Sequence, residues 1–153
     1  TGSVTCPTCT ATNGVTLVFT GASGDRIGTM TVNGSATFNL SAGSTQTNPF
    51  GSGESYAGVL VYRDDAATCN GSGSGCGGSW SRTDINGNEN SAFNGAIYMP
   101  TTNIQFTGNA TVGSTTCNVI IGNSVLFNGN VGYEGCSAIG TELMQLSAIR
   151  LLE

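Results

Sequence analysis

Six cysteines, nine acidic residues and no histidine define the chemistry open to this 153-residue chain. The cysteines are Cys6 and Cys9 in Cys-Pro-Thr-Cys, Cys69 and Cys76 on either side of a Gly/Ser run, and Cys117 and Cys136, 19 residues apart. With no histidine to complete a common zinc set, so many cysteines in so short a chain favour disulfides, and an oxidising compartment, over a four-cysteine metal site. A Cys69–Cys76 bridge would close a small loop that has nothing apolar to hold it. Cys117 and Cys136 are spaced to meet on adjacent layers of a stacked structure, at the usual Cα separation of about 5.5–6 Å. A redox-active Cys-x-x-Cys opens a helix after a strand. Thr10-Ala-Thr-Asn-Gly14 offers no helix after Cys9, so Cys6 and Cys9 are expected in a structural bridge, within the motif or to a neighbouring subunit.

The missing histidine also removes the Ser-His-Asp and Cys-His arrangements and the commonest general base. Carboxylates remain. Asp64 and Asp65 are sequence neighbours, which on a strand point to opposite faces, so they make a poor glycosidase pair. With Arg63 they read as a solvated strand end. Asp84-Ile-Asn-Gly-Asn88-Glu89 places oxygen ligands at alternate positions, as calcium loops do. It has Glu89 where the helix-loop-helix pattern needs Gly, and Gly95 where that pattern needs a bidentate Glu. An Asn-rich turn bonding its own backbone is the plainer reading. Trp80, Tyr56, Tyr62, Tyr98 and Tyr133 are of the types that stack on sugars, though isolated aromatics are more often core or corner residues. No catalytic residue, cofactor or metal site is expected.

These residues must be held by a chain with 38% hydrophobic and 8% charged residues and a net charge of −5, a balance that folds rather than staying disordered. Its only cations are Arg26, Arg63, Arg82 and Arg150. So few cannot release many phosphate counterions, which excludes nucleic acid as a partner, and the same deficit argues against membrane contact. No segment approaches the roughly 18 apolar residues of a membrane span. The chain opens on Thr1 and not on Met, so any export signal or anchor is expected to have been removed or to lie outside this sequence. The sequons at Asn33, Asn39, Asn70 and Asn109 are what chance gives in a chain this rich in Asn, Ser and Thr.

Gly14-Val-Thr-Leu-Val-Phe-Thr-Gly21 is a β-branched and aromatic run between glycines, the composition of a strand. Similar runs are Ile27 to Val32, Ala36 to Leu40, Ala57 to Tyr62, Gly95 to Met99, Asn103 to Thr107, Asn118 to Ile121, Ser124 to Asn128 and Met144 to Leu152. The last also suits a helix, with Leu143, Leu146 and Ile149 at three-residue spacing. Residues 1–13 read as an N-terminal extension ahead of a single β domain over 14–153. Asp65 to Asn90 reads as a long side loop and Gly43 to Glu54 as a second insertion.

The second half repeats itself. Ala96-Ile-Tyr-Met and Ile104-Gln-Phe-Thr-Gly-Asn109 are followed by Val119-Ile-Ile and Val125-Leu-Phe-Asn-Gly-Asn130, at offsets of 23 residues (Ile97 to Ile120) and 21 residues (Ile104 to Val125). A period of about 20 to 25 built from short strands and Gly/Asn corners is what a short parallel β-solenoid, or β-helix, produces. Phe19-Thr-Gly, Phe93-Asn-Gly, Phe106-Thr-Gly and Phe127-Asn-Gly would be its corners, with Gly and Asn at positive φ. The all-β alternative is a β-sandwich, whose strands recur every 8 to 12 residues or so.

Ala57-Gly-Val-Leu-Val-Tyr-Arg-Asp-Asp65, Ile85-Asn-Gly-Asn88, Phe93-Asn-Gly-Ala-Ile-Tyr-Met-Pro100, Ile104-Gln-Phe-Thr-Gly-Asn109, Cys117-Asn-Val-Ile-Ile121, Phe127-Asn-Gly-Asn130 and Arg150-Leu-Leu-Glu153 follow one another in the chain. In that order they resemble the C-terminal region of TadG-like proteins of the tight-adherence (Flp) pilus system, over roughly Val15 to Glu153. The resemblance implies export through an inner membrane by an N-terminal hydrophobic segment and a role in adhesive pili or their assembly. It carries over no catalytic residue.

The expected protein is an extracellular or bacterial cell-surface structural subunit that associates with itself or with other pilus components. The alternatives are a carbohydrate-binding adhesin, which needs Trp80 and a Tyr exposed together beside the long loop, and a β-helix polysaccharide-acting enzyme, which needs carboxylates clustered with Arg or calcium on one face. The disulfide reading is checked by thiol labelling of the denatured, unreduced chain. It expects no reactive cysteine, and two or more labelled per chain contradict it.

Overall fold

The β-branched and aromatic runs form strands, and the strands pair only in parallel. A computed structural model describes residues 3–10, 12–21, 27–45, 55–64, 81–88, 91–109, 111–112 and 118–133. In chain order the strands are β1 (Ser3–Thr5), β2 (Leu17–Phe19), β3 (Thr31–Val32), β4 (Thr37–Ser41), β5 (Val59–Arg63), β6 (Ser81–Gly87), β7 (Ala92–Asn94), β8 (Ala96–Gly108), β9 (Thr111–Val112), β10 (Ile120–Gly129) and β11 (Gly132–Tyr133). One sheet has the order β1-β4-β7-β9-β11; the other has the order β2-β5-β8-β6-β3, with β10 also on β8. Among the described residues there is no helix, and none of the antiparallel pairing that a β-sandwich requires.

The long strand β8 organises the larger sheet. Its first part pairs with β5 (Val61 opposite Ile97, Tyr62 opposite Tyr98) and its second part with β6, from Ser81 opposite Thr102 to Gly87 opposite Gly108. β10 follows the other edge over both parts. The sheet turns where β8 crosses from one partner to the next. Inward and outward residues alternate along β8 except at Pro100 and Thr101, which are both half-buried between the buried Met99 and Thr102. That slip of one residue turns the backbone while keeping Ile97, Met99, Ile104 and Phe106 inside.

The sequence echo is the register of this pairing. Ile120 lies opposite Ile97 and Val125 opposite Ile104. The two offsets differ because β10 crosses the turn with a register shift between Gly122 and Ser124. A Cβ on Gly122 would stand 2.9 Å from Ile104 Cδ1 and 3.1 Å from the Thr102 carbonyl oxygen, so any other residue there makes the neighbouring strand or the Ile104 side chain give way slightly. Asn123 Nδ2 and Ser124 Oγ donate to Asn103 Oδ1 at 2.8 and 2.9 Å and tie the shortened turn down.

Inward side chains stack strand on strand. Leu17, Val61, Ile97 and Ile120 share one column, and Val32, Ile85, Phe106 and Phe127 another. On the smaller sheet Phe38 and Phe93 stack with ring centroids 4.6 Å apart. Arg63 is the exception among the apolar residues, only 1% exposed. Its Nε donates to the Gly28 carbonyl, one Nη to the Ile27 carbonyl, and the other to the Thr101 and Thr102 hydroxyls. Burial lowers its pKa from the usual arginine value, and the neighbouring Asp64 charge raises it. The guanidinium joins residues before β3 to the turn of β8.

Several sequence expectations change. Asp65 to Asn90 is not one loop, because Ser81–Gly87 is β6. Its sequence holds a single apolar residue, Ile85, yet the positions it turns inward include Thr83 as well, and Thr83 Oγ1 lies 3.7 Å from Met99 Sδ. The run from Ala96 to Met99 and Asn103 to Thr107 are one strand, as are Ile120 with Ile121 and Ser124 to Asn128, the pairing resuming after a register shift at the turn. Ile27 to Val32 contributes only Thr31–Val32. Arg63 is a buried tie and not part of a solvated strand end. Gly95, Gly108 and Gly129 do have positive φ at three of the expected corners, but no described Asn does. Residues 1–13 include β1, paired with β4. Cys6 and Cys9 are bridged within their motif, Cα atoms 5.3 Å apart. Cys69, Cys76, Cys117 and Cys136 lie outside the described residues, as do Met144 to Leu152 and most of both insertions.

Phe93→Ala is expected to destabilise the fold by about 3–5 kcal/mol, since it empties a fully buried site and ends the Phe38 stack. Arg63→Ala is expected to cost about 3 kcal/mol by leaving buried carbonyls and hydroxyls without their donor. Urea unfolding measures both, and a loss below about 1 kcal/mol in either contradicts these packing roles.

Candidate functional site

The outward faces of the paired strands carry their own column. Parallel register sets Val18, Tyr62, Tyr98 and Ile121 side by side. Strands in a sheet lie about 4.7–4.9 Å apart, close to the separation of stacked rings. The Tyr62 and Tyr98 rings are nearly parallel, 9° apart, with centroids 5.5 Å apart. Tyr56 precedes β5 and meets Tyr62 edge to face at 5.1 Å. It is placed there by the turn at Ala57-Gly58, where Gly58 has φ +74° and the Gly58 N–H donates to the Gly43 carbonyl at 2.8 Å.

Between this ladder and Ser55 runs an open groove of about 350 Å³, with Val59, Ile97, Val119 and Ile121 in its walls beside the tyrosines. It falls within the size range of small-ligand sites and, like them, is mainly apolar with few polar groups. The tyrosine ring faces provide flat stacking surface and their hydroxyls a polar tip. Among the described residues no carboxylate or basic side chain lines it, so its walls suit a flat or apolar group, with the tyrosine and Ser55 hydroxyls as its polar atoms.

The other candidates lie apart from it. Asp64 accepts a hydrogen bond from Thr20 Oγ1 at 3.3 Å; Asp65 is outside the described residues. The Asp84 segment is not a loop: Asp84 is on β6 and pairs with Arg82 Nε at 2.6 Å, an exposed ion pair of the kind worth roughly 0–1 kcal/mol. Asn88 follows β6 but bonds elsewhere than its own backbone, its Oδ1 accepting from Ser91 Oγ and its Nδ2 donating to the remote Ala36 carbonyl. Glu89 is not described. Among the described residues no three of His, Cys, Asp and Glu come together to hold a metal. Trp80 and its surroundings are not described, nor is the side chain of Tyr133.

The ladder is only half legible in the sequence. Tyr98 and Ile121 are related by the same 23-residue offset as Ile97 and Ile120, and that signal alone places them side by side. Tyr62 lies in a run with no matching echo, so its partner appears only in the register.

No family model, curated protein or solved structure matches the chain.

The stacking of Tyr62 on Tyr98 is expected to couple them by about 1 kcal/mol in a double-mutant cycle to alanine, read by urea unfolding. Additive losses would show that the two rings do not support one another.

Proposed function

We propose that the chain is a structural or adhesive subunit of bacterial pili or surface filaments, exposed outside the cell, folded as a short parallel β-solenoid with side loops, and able to assemble with itself. Its partners are further copies of the chain or other pilus components. The observation that carries this reading is the parallel, in-register pairing of β10 on β8 and of β8 on β5 and β6, which makes each pass of the chain a template for the next. The insertions leave at turns, where length costs the stack little. The Cys6–Cys9 bridge and the scarcity of charge agree with an extracellular role, and the TadG-like motifs point to pili in particular.

The tyrosine groove favours a second reading, a carbohydrate-binding adhesin, because stacked aromatic faces suit the apolar faces of sugar rings.

Negative-stain microscopy and sedimentation of the purified chain separate the readings. The first expects filaments or a mass that rises with concentration, with truncation of residues 1–13 reporting whether that segment contributes. The second expects a monomer whose tyrosine fluorescence changes on adding oligosaccharides, an effect lost in Tyr98→Ala. A monomer at all concentrations rules out self-assembly.

A further inference from the structure

The larger sheet is unevenly finished at its two ends. No described strand pairs with the outer edge of β10, and β10 exposes Ile121 (43%), Val125 (37%) and Leu126 (55%). Val125 lies directly opposite the buried Ile104, so it is the last residue of an interior column among the described strands. At the other end, β2 pairs only with β5 and β3 only with β6 among the described strands. Sheet edges are ordinarily guarded by charged residues, Pro or bulges. β2, β3 and β10 contain no charged residue and no Pro, and the irregularity of β10 sits at its turn rather than along the Ser124–Gly129 ladder.

We propose that a second copy of the chain docks head to tail on this sheet, the β2–β3 edge of one molecule continuing the columns that reach β10 of the next. This rests on the self-assembly reading and specifies its contact. The ends match because register has already aligned them: Leu17 shares a column with Ile120, Val18 with Ile121, Thr31 with Leu126 and Val32 with Phe127. Stacked in the parallel sense, the next copy places Leu17 over Ile120 and Val18 over Ile121, apolar on apolar, and sets no charge against any of them. Pairing β10 with β10 of another copy is antiparallel and loses this alignment. Because the two surfaces differ, the contact is heterologous and not a two-fold dimer, and with each copy stacked along the same column direction it repeats as a filament.

The test uses the exposed positions Leu126 and Thr31, which face one another across the contact. The full chain and its Leu126→Lys and Thr31→Glu variants are compared by sedimentation and negative-stain microscopy, with far-UV circular dichroism to verify each fold. Each variant alone is expected to need at least about tenfold more protein to assemble than the wild type, since each buries a charge against an uncharged partner. Their equimolar mixture is expected to assemble where neither does alone, because the introduced ammonium of one variant then meets the introduced carboxylate of the other. Wild-type filaments that both variants form equally well leave self-assembly standing and overturn this contact. So does a mixture no better than its parts. A wild-type chain that stays monomeric overturns both.

Discussion

A strand satisfies both its edges only where a neighbour pairs with it on each side, and β8 has parallel neighbours on both sides along most of its length. Its amides and carbonyls are committed to β5 and β6 on one side and β10 on the other. Once those ladders are fixed, side chains have no freedom of register. Inward residues must stack as Val61, Ile97 and Ile120 do, and outward residues as Tyr62, Tyr98 and Ile121 do. A slip of one residue would exchange the two sets and bring the tyrosines into the core.

The turns are the price of that order. Where the chain changes direction, neighbouring backbones approach so closely that side chains are excluded. A Cβ on Gly108 would lie 2.5 Å from the Gly87 carbonyl oxygen, and one on Gly129 2.7 Å from that of Gly108, so these glycines stack at one corner as the apolar residues stack inside. Arg63 plays the complementary part, filling a turn with a polar group and bonding backbone that no ladder reaches.

What is legible in the sequence follows from these constraints. Ile97 and Ile120, or Ile104 and Val125, are similar residues because they lie opposite one another on adjacent parallel strands, so their offsets predict the pairing. The all-β class and most strand positions follow from β-branched runs between glycines. β6 escapes such a reading because its inward positions include Thr83 and Gly87, which carry no apolar signal and are held inside by the strand beside them. Arg63 misleads because its neighbours Asp64 and Asp65 suggest solvent, while its partners are carbonyls and hydroxyls remote in the chain. The tyrosine ladder joins residues whose proximity depends on a register shift between Val59 and Val61, which no spacing rule supplies.

The groove and the β10 edge both arise from the same stacking: one is the outward column of the ladder, the other is the ladder's last strand. The register of β10 on β8 is therefore what most needs direct measurement. Nuclear Overhauser contacts across this pair distinguish the arrangements in solution. The account predicts contacts from Ile120 to Ile97, Leu126 to Gln105 and Gly129 to Gly108, all in the same chain direction. Contacts from Ile120 to the Gly108 end of β8, or a register displaced by one residue, would contradict it.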